Sequence, residues 1–262
     1  MKQFMPLCLA IVIAALAVSP GPARAGNREA ATVDEAADVL SELAAIPARC
    51  IPPALMQDAA GVAVIPCMIK AGFVIGGRHG RGVLCVRQPD GSWSSPIFIT
   101  MTGGSIGWQI GVQATDVVLV FKTRASVERV LQGKGKFTLG ADAAVAAGPI
   151  GRQAEAATDA QLKAEIYSYS RSRGLFAGVA LEGAALLVDD GGNESFYRVE
   201  CIRPRDIMAI RGAVPPCVGR LQAELTRLGG PPRPPQFAPI PMPPPPPPAV
   251  DPLPAPRVVP QY

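Results

Sequence analysis

The chain has 262 residues, 48% hydrophobic and 18% charged, which supplies one large or two small cores and too little charge for a coiled coil. Its formal charge of +4 falls to +2 once Lys2 and Arg24 are set aside as part of a leader, so bulk electrostatics give no support for a nucleic-acid partner. A single histidine, His79, rules out His-rich metal centres within one chain.

Residues 1–25 read as a secretory signal peptide. Lys2 gives a positive start, Leu7 to Val18 is an unbroken apolar run, and Ala23-Arg24-Ala25 is a small-x-small cleavage site. The run is shorter than the roughly 20 residues a bilayer span needs. The mature protein is therefore expected to begin near Gly26 and to work in the periplasm or cell envelope. Export permits disulfides. Cys201 with Cys217 is the first candidate pair and Cys50 with Cys67 the second, although spacing does not fix connectivity. Cys67 and Cys85, set in Val/Ile/Leu runs, read instead as small buried hydrophobes. No CxxC spacing occurs, and neither a metal nor a cofactor is expected.

Segment 26–60 is helical. Val33, Ala36, Ala37, Leu40, Leu43 and Ala44 recur at helical steps from Ala30 to Ala45, with Thr32 as the expected N-cap and Pro47 as the stop. Pro52-Pro53 opens a short helical turn through Asp58. Segment 61–197 is β-rich, and 19 of the 27 glycines fall between Gly61 and Gly183. Ten strands are expected there: Gly61–Pro66, Lys70–Gly77, Gly82–Arg87, Ile97–Thr102, Ile106–Val112, Asp116–Lys122, Lys136–Ala141, Ala164–Ser170, Leu175–Leu181 and Ala185–Asp189. One helix interrupts them, Ser126 to Gln132, capped by Ser126. Pro89-Asp90-Gly91-Ser92 and Asp190-Gly191-Gly192-Asn193 read as turns. Long helices do not alternate with the strands, which excludes a doubly wound parallel sheet. The expected class is α+β: a mostly antiparallel, strongly twisted or barrel-like sheet with a few flanking helices. Segment 198–230 reads as a helical extension in two pieces, broken at Pro215-Pro216. Segment 231–262 holds 16 of the 29 prolines and reads as a disordered, polyproline-II tail, either a ligand for an aromatic groove or a plain solvated segment.

Catalytic signals are weak. Gly103-Gly104-Ser105-Ile106-Gly107 fits G-x-S-x-G, but Trp108 to Val112 continues as a strand and the only histidine precedes the serine, so the chain is not expected to be an enzyme. Gly76-Gly77-Arg78-His79-Gly80-Arg81-Gly82 lacks the spacing of a nucleotide loop. What remains is a basic hairpin, Lys70, Arg78, Arg81 and Arg87 with no acid among them. A second basic patch holds Lys122, Arg124, Arg129, Lys134 and Lys136 against Glu128 alone. Guanidinium forks beside glycine-rich backbone hold phosphate-like anions; the blander reading is that these charges solvate a sheet edge. Asp189 to Glu194 reads as an acidic turn rather than a calcium loop.

Three groups of motifs bear a resemblance. Gly61-Val62-Ala63-Val64-Ile65-Pro66 and Lys70 through Gly82 come first. Gly91-Ser92-Trp93, Gly103 through Gly111 and Thr115 through Phe121 follow. Lys136 through Asp142 and Ile166 through Gly178 close the series. From about Thr32 to Tyr197 the chain resembles the SYLF domain. The resemblance implies a lipid-binding module, phosphoinositide-binding in eukaryotic members and exported in bacterial ones. It implies anionic-lipid contact through Lys70, Arg78, Arg81, Lys122 and Arg124, and hence binding to a membrane surface. Eukaryotic members enter membranes by a basic helix before the domain. The helix here carries Asp34, Glu35, Asp38 and Glu42, which argues against its insertion. The actin binding of eukaryotic members is not expected to transfer to an exported protein. The alternative is a scaffolding envelope protein that acts through its proline-rich tail.

Overall fold

The computed structural model describes residues 25–45, 51–132, 136–149, 163–172, 175–179 and 181–230. The leader, Pro47, Cys50, Lys134 and the proline-rich tail lie outside the described residues. Helices α1 (Ala25–Ala45) and α2 (Pro53–Gln57) lead into two long strands, β1 (Gly61–Val86) and β2 (Ile97–Phe121). Then come α3 (Arg124–Leu131), β3 (Phe137–Thr138), β4 (Val145–Ala147), β5 (Ile166–Ser172), β6 (Leu175–Gly178) and β7 (Ala185–Val188). The described chain closes with α4 (Asp190–Tyr197), α5 (Pro204–Ala209) and α6 (Pro216–Gly229). The strands form one sheet in the order β3-β7-β2-β5-β4, with β1 on β2 and β6 on β5. Every strand pair in it is antiparallel except β4–β5. The result is a strongly curled half-barrel of the α+β class, as the composition and patterning predict.

Six of the expected strands, those between Gly61 and Lys122, merge into two. The start of β1 pairs with the end of β2 (Gly61 opposite Phe121), and the end of β1 pairs with the start of β2 (Leu84 opposite Ile97). The two ends of β1 also meet, because Arg87 N–H donates to Ala60 C=O at 2.9 Å. β1 is therefore bent back on itself and nested inside an equally bent β2. Bulges between Ile65 and Met68 and between Gly72 and Val74 absorb the bending. The limbs of β1 approach so closely that a Cβ on Gly82 would lie 2.1 Å from the Val64 carbonyl oxygen. Only glycine fits there.

Strand alternation splits the apolar residues between two buried faces. One face carries Val62, Val64, Val83, Cys85, Phe98, Val118, Val120 and Tyr169, covered by Leu40 and Leu43 of α1, Leu55 of α2 and Leu221 and Leu225 of α6. The other carries Ile65, Leu84, Ile97, Ile99, Met101, Val117, Leu119 and Phe121, covered by Val127 and Val130 of α3 together with Leu139 and Ile207. With both faces covered, the strands read as continuous apolar runs rather than as alternation. The 198–230 segment does not stand apart, since α6 lies on α1, where Arg220 pairs with Asp34 and Asp38.

Several local expectations change for identifiable reasons. α1 begins upstream of Thr32, whose hydroxyl donates to Arg28 C=O at 3.1 Å in mid-helix. α3 is capped by Thr123, not Ser126: the Thr123 side chain accepts from Ser126 N–H at 3.2 Å. The Asp190-Gly191-Gly192-Asn193 stretch is the first turn of α4 because Asp189 Oδ1 accepts from Gly192 N–H at 3.0 Å. The strand expected over Lys136–Ala141 contracts to Phe137–Thr138, and Asp142 turns the chain by accepting from Thr138 N–H.

The expected Cys201–Cys217 disulfide is absent, and both residues are free thiols. Cys201 is exposed in left-handed backbone (φ 53°), with its N–H held by Glu194 at 2.7 Å. Cys217 is buried against the α1 face. The second pairing finds no support either, because Cys67 is a free thiol. Cys85 is the small buried hydrophobe expected, whereas Cys67 is exposed in the β1 bulge (φ 51°), its N–H bonded to Asp116 Oδ1 at 2.9 Å.

Candidate functional site

The five basic residues singled out from the sequence do not form one surface. Lys70 and Arg78 lie on the same face of the sheet, the α3 face. Gly80 abuts Met68, since a Cβ on it would lie 3.1 Å from Met68 Cα, and two residues further along each antiparallel limb stand Arg78 and Lys70. Arg78 lies over Gly103 and Ala184, and one of its terminal nitrogens donates to Gly104 C=O at 3.3 Å. Its Nε is buried without a hydrogen-bond partner among the described residues. Burial lowers the Arg78 pKa. Among the described residues no carboxylate forms an ion pair with Lys70 or Arg78.

Arg81 lies on the opposite face. It pairs in register with Thr100, beside Val83 and Phe98 of the α1 face, and sits 3.7 Å from Asp189 at the start of α4. Lys122 and Arg124 stand at the far end of the sheet. Lys122 lies nine positions along the chain from Gln113, the partner of Lys70, about 30 Å along an extended strand. Arg124 donates to Arg87 C=O at 2.9 Å and pairs with Glu128 at 3.3 Å. Arg129 is engaged by Glu165 and the Asp142 carbonyl. Arg87 is structural: it donates to the carbonyls of Ala59, Met56 and Gly91, and its guanidinium lies 4.3 Å over the Trp93 ring. The site thus reduces to Lys70 and Arg78.

Ser105 of β2 is paired with Gly76 of β1, away from any strand-to-helix elbow, so the G-x-S-x-G motif lacks its catalytic setting. Among the described residues there is no cluster of metal-ligating side chains, and no helix is long and apolar enough to cross a membrane.

A further feature lies beside the basic pair. Ile69 and Val112 are 48% and 77% exposed on the outer part of the nested hairpins. Sequence reasoning passed over them because β-branched residues in a strand look like core. The missed signal is length: these strands run on well past the residues that α1 and α3 can cover.

A family profile described as "Las17-binding protein actin regulator" (Ysc84) matches residues 102–228. That span takes in α6 and the sheet from within β2 onward, but not β1. Residues 102–228 thus form a Ysc84 (SYLF) family match. Protein YSC84 of Saccharomyces cerevisiae is 41% identical over 173 residues, covering 65% of this chain and 36% of that protein. LAS seventeen-binding protein 3 from the same species is 40% identical over 173 residues, 65% of this chain and 37% of that one. SH3 domain-containing YSC84-like protein 1 of Homo sapiens is 38% identical over 179 residues, 66% and 52% of the two chains. The chain thus spans between about a third and a half of the length of these relatives. No solved structure matches it.

Proposed function

We propose that this chain is a non-enzymatic SYLF module that binds anionic lipid headgroups outside the cytosol, through Lys70 and Arg78. The carrying observation is a basic pair on one sheet face with no carboxylate partner among the described residues, including a buried Arg78 Nε without an acceptor. A phosphodiester headgroup supplies the acceptor oxygens that a guanidinium fork and an ammonium favour. Arg81 and Arg124, each beside a carboxylate, contribute less. The leader pattern supports a periplasmic or envelope location, where phosphatidylglycerol and cardiolipin present the required charge.

The test is vesicle pelleting of the chain purified from an export host, with its mass showing whether the leader is removed near Ala25. Retention on phosphatidylglycerol vesicles at low salt, declining at 0.5 M salt, is expected, because headgroup attraction is screened. Lys70→Glu with Arg78→Glu should abolish the phosphatidylglycerol preference, while Arg124→Glu leaves it in place. Retention indifferent to lipid charge overturns the reading.

A second reading rests on names. The family profile is described as Las17-binding and one yeast relative is named LAS seventeen-binding protein 3, which supports a protein partner, reached here through the SYLF domain or the proline-rich tail. Truncation before Pro231 separates these: loss of pulled-down partners on truncation assigns them to the tail.

A further inference from the structure

Arg78 occupies a slot that exists because residue 103 has no side chain. The two are register partners on β1 and β2, so a side chain at 103 would rise on the same face as Arg78. A Cβ there would lie 3.0 Å from Arg78 Nε, 3.3 Å from its Cγ and 3.3 Å from Ala184 Cα. The arginine therefore lies down across β2 rather than standing up from the sheet. Gly104, the next residue, points to the other face, and a Cβ on it meets nothing within 4 Å. Neither glycine has the positive φ that would exclude alanine.

The pose leaves the guanidinium poorly satisfied. Arg87, another half-buried arginine, donates from all three of its nitrogens to carbonyls, at 3.0, 3.3 and 2.9 Å. Among the described residues Arg78 makes one bond, to Gly104 C=O at 3.3 Å, and its Nε is buried without an acceptor. Arg78 thus lacks the partners of a structural arginine. An unpaired buried donor on a charged group is costly, and the same burial lowers the Arg78 pKa. An arm lifted off the strand regains the use of all five N–H donors. A ligand shifts an equilibrium only through unequal affinity for its two states. A phosphate has that inequality here, because it can accept from the Nε–H of a lifted arm and not from the Nε–H buried in the slot.

We infer that Arg78 is a stowed arm: Gly103 provides its berth in the free protein, and an anionic headgroup draws the guanidinium out on the face it shares with Lys70. This rests on the proposed lipid-surface reading and adds the regulation of that site, because affinity falls with the share of molecules whose arm is parked. The test is pelleting of the full exported chain on phosphatidylglycerol vesicles at low salt. Gly103→Ala should displace the flexible arginine, leave circular dichroism unchanged and tighten binding; with roughly nine arms in ten parked, the gain approaches about tenfold. Gly104→Ala adds the same methyl group away from Arg78 and should bind as the parent does. Arg78→Ala should weaken binding, and Gly103→Ala added to it should change nothing more, since the glycine acts only through the arginine. A second measurement needs no substitution at residue 103. The Nε–H resonance of Arg78, assigned by its loss in Arg78→Ala, should resist exchange with water in the free chain and exchange freely once dihexanoyl phosphatidylglycerol is added. Equal or weaker binding by a folded Gly103→Ala, or an Nε–H that stays protected with lipid, overturns the stowed arm while leaving headgroup binding intact. Tightening that persists in the Arg78→Ala background overturns it as well. Retention equal on phosphatidylglycerol and neutral phosphatidylcholine vesicles overturns the lipid reading itself.

Discussion

At the scale of single residues, glycine and cysteine carry the sharpest consequences. Gly82→Ala puts a methyl group within 2.1 Å of the Val64 carbonyl oxygen and 2.7 Å of Ile65 Cα. Backbone on both limbs of β1 would have to part, and a loss of about 3 kcal/mol in urea unfolding is expected. Gly77→Ala, with nothing within 4 Å of the new methyl, should stay within about 0.5 kcal/mol of the parent. Equal effects would mean that the limbs do not cross closely. Burial pushes the Cys85 thiol up to about 12 from 9.0. An acid whose folded pKa is raised keeps its full contribution below the unfolded value and loses it as pH climbs towards the folded one. Stability should therefore be flat in this respect below pH 9.0 and fall between 9.0 and about 12, by about 1.4 kcal/mol per pH unit. Burial also raises Tyr197, which adds to the decline in the same alkaline range. Cys85→Ala should flatten the part of that slope that begins at pH 9. In thiol labelling, Cys67 and Cys201 should react in the folded protein and Cys85 only on unfolding.

At the scale of elements, legibility in the sequence tracks whether the deciding contacts are local. α1 and the break at Pro215-Pro216 were readable because periodicity and proline act within a few residues. The strands were readable as strands, but their continuity was not. Whether Gly61–Pro66 and Lys70–Gly77 are two strands or one limb depends on pairing with residues some fifty positions away. Helix starts failed where a neighbouring side chain competed for the capping role. Thr123 won over Ser126, and Asp189 turned an apparent Gly-Gly loop into a helix. Asp189→Ala should cost about 1 kcal/mol by removing that cap, and somewhat more because Arg81 loses its partner. The basic site was half legible for the same reason. Residue type marked Lys70, Arg78, Arg81, Lys122 and Arg124 alike, yet the two-residue strand period sends Arg78 and Arg81 to opposite faces. Partners distant in sequence, Asp189 for Arg81 among them, decide which charges stay available.

At the scale of the whole molecule, one sheet is shared by two cores, and that predicts how it unfolds. The α1 face and the α3 face share β1, β2 and β5: Val64 and Ile65, adjacent in β1, belong one to each. Trp93 ties the helical layer to the sheet. Its ring is under Arg87, while Gln222 of α6 donates to its carbonyl at 3.0 Å. Loosening either core therefore loosens the strands of the other, and a single cooperative transition is expected. Leu221→Ala in α6 and Leu139→Ala on the opposite face, both fully buried, should each lower that same transition by about 2–5 kcal/mol. Far-ultraviolet circular dichroism and tryptophan emission should report coincident midpoints in the parent and in both variants. Two separated transitions, with Leu221→Ala moving only the one seen by helical signal, would instead show that segments 26–60 and 198–230 form a unit apart from the sheet.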